Sequence, residues 1–260
     1  MEIILRHAAE HGNCDRVRVL LEDCLNLDVN KTWEGEGHTA LFLGCSMGHA
    51  DIVSMLLALP QVNVNAGDIY GTTPLMIACD HGASEIVDLL LGDPRLDASR
   101  CDQGGCTALW HAAFNGHLDV IKVLIASARD LDLDGLGWYD DIGRNVCACE
   151  VSRRRGHSAS AILLHCFKVL PAIYRFVVQV ELGFPGASAA FFFALVVFLC
   201  DAYLMLIDDR SLAGRFFTIS QRLPIELQMT LSLRVFGLEN TVVPKADSEL
   251  GFRAAADFFL

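Results

Sequence analysis

Positively charged residues are scarce in this 260-residue sequence. It has 20 lysines and arginines against 32 aspartates and glutamates, a formal net charge of −12. Proteins that bind nucleic-acid backbones carry a basic surface, so this balance argues against a nucleic-acid partner. Proline and glycine, at 7 and 21 residues, are too few for a collagen-like chain or a long flexible linker. Because 53% of the residues are hydrophobic, we expect a large apolar core.

Local signatures of catalysis are missing as well. The sequence contains no G-x-x-x-x-G-K-[ST], G-x-G-x-x-G, H-E-x-x-H or G-x-S-x-G segment. The phosphate-binding loops, zinc-protease helices and nucleophile elbows that these motifs form are therefore not predicted. We expect a protein that is not an enzyme and that needs no cofactor.

The ten cysteines would form a disulfide framework only in an oxidising compartment. The N-terminal segment MEIILRHAAEHG has no basic region followed by a long apolar run, which a secretory signal requires. We therefore expect free thiols and a cytoplasmic protein, with the nucleus and a membrane as alternatives.

An internal repeat organises the first two-thirds of the chain. Segments of the form Gly-x-Thr-x-Leu recur at a constant spacing, which places their threonines at Thr39, Thr73 and Thr107. Nine residues after each threonine stands a glycine: Gly48, Gly82 and Gly116. An apolar block follows each glycine. Such constant register over three consecutive units indicates a repeat protein.

The repeating pattern resembles the ankyrin repeat, whose unit is a tight turn and two antiparallel helices with a T-P-L-H-x-A signature. Weaker copies flank the three clear ones, a first that lacks its hairpin and a last in which Cys147 replaces the threonine. The resemblance implies an all-α ankyrin-repeat solenoid with short β-hairpin loops over residues 1–167. Its five units fall at about 1–31, 32–66, 67–100, 101–134 and 141–167, with about six residues inserted before the last.

The signature residues carry structural expectations. Each threonine is predicted to accept a hydrogen bond from a backbone N–H at the start of a helix, and each glycine to end that helix in the left-handed conformation. The histidine of the family signature is replaced by Phe42, Met76 and Trp110. At those positions we expect apolar packing instead of hydrogen bonds between repeats. Cys45 and Cys79 are predicted to be small core residues.

Two groups of residues contain side chains that metals commonly bind. The repeat pattern explains the positions of both groups better than a metal site does. Cys147 and Cys149, with His157 and His165, miss the usual spacing between paired thiolates. The run Asp130-x-Asp132-x-Asp134 lacks the later glutamate of a calcium loop. We therefore predict no metal at these positions. Histidines also follow the repeat glycines, and there we expect local hydrogen bonds in place of catalysis: His49, His117 and His157.

Residues 168–260 show no repeat, and we expect a helical C-terminal module that caps the last repeat. Within it, residues 187–207 are apolar with Asp201 as the one charge. The uninterrupted apolar part is short and its flanks are acidic, so a buried helix is favoured over a membrane span. The membrane span is kept as the alternative. The segment Leu223–Leu227 resembles the opening of an F-box, the module that docks ubiquitin-ligase scaffolds. A proline-started helix is the simpler interpretation.

Stacked ankyrin units are expected to align their hairpin tips and first helices into one concave surface. The residues that this frame places there are Trp33, Glu36, His38, Ser46, Met47, Ile69, Tyr70, Asp80, His81, Gln103, Phe114, Asn115, Trp138 and Tyr139. We expect this surface to bind a protein partner of basic or mixed charge, since the chain is acidic. The chain is expected to be a monomer. The alternatives are a ubiquitin-ligase adaptor and a membrane-anchored ankyrin protein.

Overall fold

The computed structural model describes residues 1–24, 27–32, 35–127, 129–139, 144–169 and 171–183. Trp33, the apolar segment 187–207 and the F-box-like segment 223–227 lie outside the described residues, as does most of the predicted C-terminal module. The chain divides into two compact units, Met1–His165 and Cys166–Leu260. In the part of the chain that is described, no helix combines the length and the apolar character needed to cross a membrane.

Within Met1–His165, the described residues form an all-α repeat solenoid in which the helices follow one another in pairs. The first helix of each pair packs on the first helix of the next pair, and the second helices of the first four pairs do the same. The helices are α1 Glu2–Glu10, α2 Cys14–Asp23, α3 Ala40–Ser46, α4 Ala50–Leu57, α5 Pro74–Asp80, α6 Ser84–Gly92, α7 Ala108–Asn115, α8 Leu118–Ala126, α9 Ala148–Arg154, α10 Ser158–Val169 and α11 Pro171–Glu181.

The insertion before the last repeat forms a short antiparallel hairpin. Its strands are β1, Gly137–Tyr139, and β2, Arg144–Val146. Gly137 lies opposite Val146, and Tyr139 lies opposite Arg144. The helices that follow the hairpin keep the order of the repeat.

The repeat threonines begin the first helices as the sequence predicts. Each has an extended backbone, and its hydroxyl oxygen accepts a hydrogen bond from the backbone N–H three residues later. The bonds are Thr39 to Phe42 at 3.2 Å, Thr73 to Met76 at 3.3 Å and Thr107 to Trp110 at 3.3 Å. Cys147 has the same extended backbone but makes no such bond with its side chain. The last repeat therefore begins its first helix without this side-chain cap.

Small side chains fill the contacts between first helices. Cys45 and Cys79 are both completely buried, which confirms their predicted place in the core. Burial raises the pKa of both thiols far above the usual range, since a thiolate would lose its hydration there. Both cysteines therefore pack as small apolar groups.

The three residues that replace the signature histidine are buried, but they do not all behave alike. Phe42 and Met76 are 4% and 0% exposed, so apolar packing is confirmed there. For Trp110 the expected loss of hydrogen bonding is wrong. Its indole Nε1–H donates to the backbone carbonyl of Val146, in the hairpin of the next repeat, at 2.9 Å. A buried indole N–H needs an acceptor, and the inserted hairpin supplies one.

Other histidines link the repeats. Three histidines directly follow repeat glycines, and the Nε2–H of each donates to a carbonyl at the end of the first helix of the preceding repeat. The bonds are His49 to Glu10 at 3.2 Å, His117 to Asp80 at 2.9 Å and His157 to Phe114 at 3.1 Å. The expected hydrogen bonds are therefore present, but they are not local, because these rings connect neighbouring repeats. The third repeat has Ala83 at this position and lacks the bond.

The repeat glycines make room for these rings. Gly82 has a left-handed backbone, with φ of 72°, and a methyl group on it would lie 2.6 Å from Nδ1 of His117. Gly48 is equally left-handed, with φ of 79°, but it faces the repeat that carries Ala83. A methyl group there would meet no atom within 4 Å. Both positions therefore need a residue that adopts a positive φ easily. Only Gly82 must also lack a side chain, because the ring of His117 packs against it.

Arginines at equivalent positions of successive repeats link the repeats on the side of the second helices. Arg95 donates to the Leu57 carbonyl at 2.8 Å, and the Asp93 carboxylate holds its guanidinium at 2.6 Å. The hydrogen bond from Arg95 keeps the pKa of Asp93 below its ordinary value. Arg129 donates in the same way to the Leu91 carbonyl at 2.8 Å. The carbonyls that end the second helices are thus satisfied from the next repeat.

We predict that Gly82→Ala destabilises the protein more than Gly48→Ala. The left-handed backbone costs an alanine about 1 kcal/mol at either position. At Gly82 the clash with His117 adds about 1–3 kcal/mol. Urea unfolding of the two variants beside the wild type measures the difference. Equal losses would show that the histidine ring does not constrain the glycine.

Candidate partner-binding surface

Backbone hydrogen bonds hold the hairpin tips of successive repeats side by side. The Ile69 N–H donates to the Glu36 carbonyl at 3.2 Å, and the Gln103 N–H donates to the Tyr70 carbonyl at 2.9 Å. The Gln103 side chain adds a bond to the Ile69 carbonyl at 2.8 Å. Four of the residues expected on the binding surface are therefore brought together. We call Glu36, Ile69, Tyr70 and Gln103 the tip residues.

Two aspartates that the sequence analysis missed give the tips their shape. Asp68 Oδ1 accepts from the N–H groups of Tyr70 and Thr72, both at 2.8 Å. Asp102 Oδ1 accepts from Gly104 and Cys106 in the same way, also at 2.8 Å. Such turns are a common use of aspartate. The two aspartates occupy the same position in successive repeats, and this recurrence is the signal that could have identified them.

Large apolar side chains are exposed at the tips and at the end of a first helix. Tyr70 is 64% exposed, Ile69 is 49% exposed and Met47 is 50% exposed. Glu36 and Gln103 are exposed beside them, as is His81 at the end of α5. This part of the surface offers apolar anchors among polar groups.

Other expected residues are already engaged within the repeats. The His38 ring stacks on Phe42, with ring centres 4.4 Å apart, and its Nδ1 lies 3.3 Å from a Glu36 carboxylate oxygen. The Phe114 ring lies between Trp110, at 5.1 Å, and the Arg155 guanidinium, at 4.2 Å. Both rings are half-buried.

Trp138 and Tyr139 lie in strand β1, where they pair with Asn145 and Arg144.

A charged cluster that the sequence did not reveal joins the third and fourth repeats. His111 on α7 lies between two carboxylates, with Nδ1 3.2 Å from Asp80 Oδ1 and Nε2 3.2 Å from Asp102 Oδ2. The Asn115 side chain also donates to Asp80 Oδ1, at 2.8 Å. Of the expected surface residues, Asp80 and Asn115 are therefore part of one hydrogen-bonded group. Asp80 and His111 are 31 residues apart in the sequence, and stacking of the third repeat on the fourth brings them into contact.

The cluster shifts the ionisation of its members. Burial alone would lower the pKa of His111, but the hydrogen bonds and negative charges of Asp102 and Asp80 outweigh it and raise the pKa to about 9. His111 is therefore positively charged at neutral pH, and both ring nitrogens donate. The hydrogen bond from His111 lowers the pKa of Asp80. Burial works against ionisation of Asp102, yet its bonds to His111 and to the turn N–H groups lower its pKa as well.

Comparisons with known proteins agree with the repeat geometry. Residues 5–100 and 63–135 match the family model described as ankyrin repeats in three copies, which together is about half of the chain. A stretch of 61 residues is 43% identical to osteoclast-stimulating factor 1 of Xenopus laevis. That match covers 24% of this chain and 27% of the relative, so the chain spans only about a quarter of the relative's length.

We predict that His111 makes stability depend on pH in the alkaline range. Because its pKa rises from about 6.5 to about 9 on folding, its contribution is complete below pH 6.5 and is lost as pH rises through about 9. The loss is at most about 3 kcal/mol. Urea unfolding between pH 6.5 and 9.5, in a buffer with a chelator, should show this loss in the wild type and a flatter profile in His111→Gln. Parallel profiles would contradict the charged cluster.

Proposed function

Because the chain belongs to the ankyrin repeat family, whose repeats imply a scaffold for protein–protein interaction, we propose that it binds a protein partner without catalysing a reaction. The binding surface consists of the tip residues and the exposed ends of the first helices that follow them. The observation that carries the proposal is the row of bonded tips, which presents Ile69 and Tyr70 to solvent.

The chemistry of these side chains supports the proposal. Tyrosine anchors interfaces often, because a large ring buries much area at a small cost in side-chain entropy. Ile69 lies beside it in the same turn, and the Asp68 carboxylate fixes that turn through two hydrogen bonds. The anchor is therefore preorganised, which lowers the entropy lost on binding.

Charge favours a partner that is basic or of mixed sign. The whole chain carries a net charge of −12, and Glu36 is exposed at the tips. Asp80 and Asp102 contribute less negative charge than their number suggests, because His111 is charged between them. Long-range attraction of this kind raises the rate of association more than it lowers the rate of dissociation.

We predict that Ile69→Ala/Tyr70→Ala weakens partner binding by at least about 30-fold, as loss of an anchoring residue does. The full chain and its variants would be used to isolate partners from cell extract, with quantitative mass spectrometry, and the dissociation constant would then be measured for the isolated partner. Addition of salt should slow association with a basic partner.

The matched control is Val19→Ala/Ile162→Ala. These side chains are 46% and 64% exposed, close to the 49% and 64% of Ile69 and Tyr70, but they lie on α2 and α10, away from the hairpin tips. Retention of the partner by the control and its loss by the tip variant supports the proposal. Equal binding by both variants, or equal loss in both, would rule out the tip residues as the anchor.

A further inference from the structure

The fourth repeat brings together three side chains whose donor atoms metals bind. A carboxylate oxygen of Asp102, the Sγ of Cys106 and a ring nitrogen of His111 all lie within 4.8 Å of one another. Asp102 and Cys106 belong to the hairpin that precedes α7, and His111 lies in the first turns of α7. Thiolate, imidazole and carboxylate together make the donor set that zinc prefers.

The distances suit a tetrahedral ion. His111 Nε2 and Asp102 Oδ2 are 3.2 Å apart, while metal bonds of about 2.0–2.1 Å place two ligands of a tetrahedral zinc about 3.3–3.4 Å apart. These two atoms therefore already occupy one edge of the tetrahedron. The Cys106 sulfur lies within 4.8 Å of both atoms. A thiolate in a tetrahedral zinc site lies about 3.5 Å from the other ligand atoms, so the sulfur must approach them by at most about 1.3 Å.

Groups behind the ligands already hold them in position. Asp102 uses Oδ1 to accept from two turn N–H groups, at 2.8 Å each. Its other oxygen, Oδ2, contacts only the ring of His111 among these groups, so an ion that replaces the proton of Nε2 can bind both atoms. Asp80 holds Nδ1 of His111, so a neutral ring carries its proton there and turns the lone pair of Nε2 toward Asp102. A carboxylate behind a histidine ligand is the usual arrangement in metal sites.

The same turn in the third repeat shows which of these residues the fold itself requires. There Asp68 makes the same two bonds, so the aspartate serves the turn. Thr72 and Ile77 occupy the positions of Cys106 and His111 one repeat earlier, and that repeat forms without a thiol or an imidazole. The complete donor set is therefore a feature of the fourth repeat and not a requirement of the ankyrin fold.

We infer that Asp102, Cys106 and His111 bind one Zn²⁺ ion and leave its fourth coordination position open. Cys106 is 6% exposed, and the side chains of Asp102 and His111 are 14% and 16% exposed. The ligands are thus shielded, yet water or a partner side chain can reach the ion. On binding, the thiol of Cys106 and the imidazolium of His111 each release a proton to solvent.

Titration of the metal-free full chain with Co²⁺ tests the inference, in a buffer with a phosphine reductant. Cobalt takes the place of zinc and reports a thiolate ligand through a charge-transfer band in the near ultraviolet. We expect this band to saturate at one equivalent and to disappear when Zn²⁺ is added. Absence of the band, or growth without saturation, would overturn the site.

Matched variants assign the ligands. Cys106→Ser and His111→Gln should abolish the band. Cys101→Ser, which changes an exposed cysteine of the same hairpin, and His81→Gln, which changes an exposed histidine on the neighbouring repeat, should leave it unchanged. A band that survives Cys106→Ser, or that is lost equally in Cys101→Ser, contradicts the assignment.

The variant Asp80→Asn provides a test that does not remove a ligand. Asp80 orients His111 from behind, so we expect Co²⁺ affinity to fall about 10–100-fold with the band itself retained. Far-ultraviolet circular dichroism of each variant checks that the helices persist. Unchanged affinity in a folded Asp80→Asn protein would contradict the placement of Asp80 behind a histidine ligand.

Discussion

A polar group buried where two repeats meet costs free energy unless a hydrogen bond satisfies it. This stack meets that constraint with side chains that cross each boundary. Histidine rings bind carbonyls at the ends of the first helices, and arginines bind carbonyls at the ends of the second helices. Between them lie completely buried apolar residues such as Cys79 and Leu90. Since no repeat can bury its apolar face alone, these crossing bonds set the register in which the faces meet.

The same register creates the binding surface. The tips lie side by side because the third and the fourth hairpin each donate a backbone hydrogen bond to the preceding one. At the boundary between the third and fourth repeats, Asp80 and Asp102 converge on His111, so the charge of the surface there depends on the stacking. Residues that hold the repeats together therefore lie next to residues of the proposed binding surface. A change in the packing of one repeat should alter that surface as well.

Much of this organisation could be predicted from the sequence, because it is local and recurs at the same position in each unit. The caps at Thr39, Thr73 and Thr107 and the left-handed Gly82 follow from patterns of a few residues. The bond from Trp110 to Val146 could not be predicted, since it depends on where the inserted hairpin folds. The placement of His111 between two carboxylates was equally inaccessible, because one of them belongs to another repeat. The contacts of residues that do not recur in the repeat pattern can be identified only from the three-dimensional structure of the stacked repeats.

The boundary between the second and third repeats lacks a linking histidine. Introducing a histidine there tests most directly whether these hydrogen bonds hold the repeats together. Ala83 has the backbone of the linking histidines, with φ and ψ of −78° and 73° against −73° and 81° at His117, and the space above Gly48 is open. A histidine there should donate to the Ser46 carbonyl. We therefore predict that Ala83→His raises the free energy of urea unfolding by about 1 kcal/mol, whereas Ala83→Leu, which fills the same space without a donor, does not. A gain no larger than that of leucine would contradict the central role of these bonds.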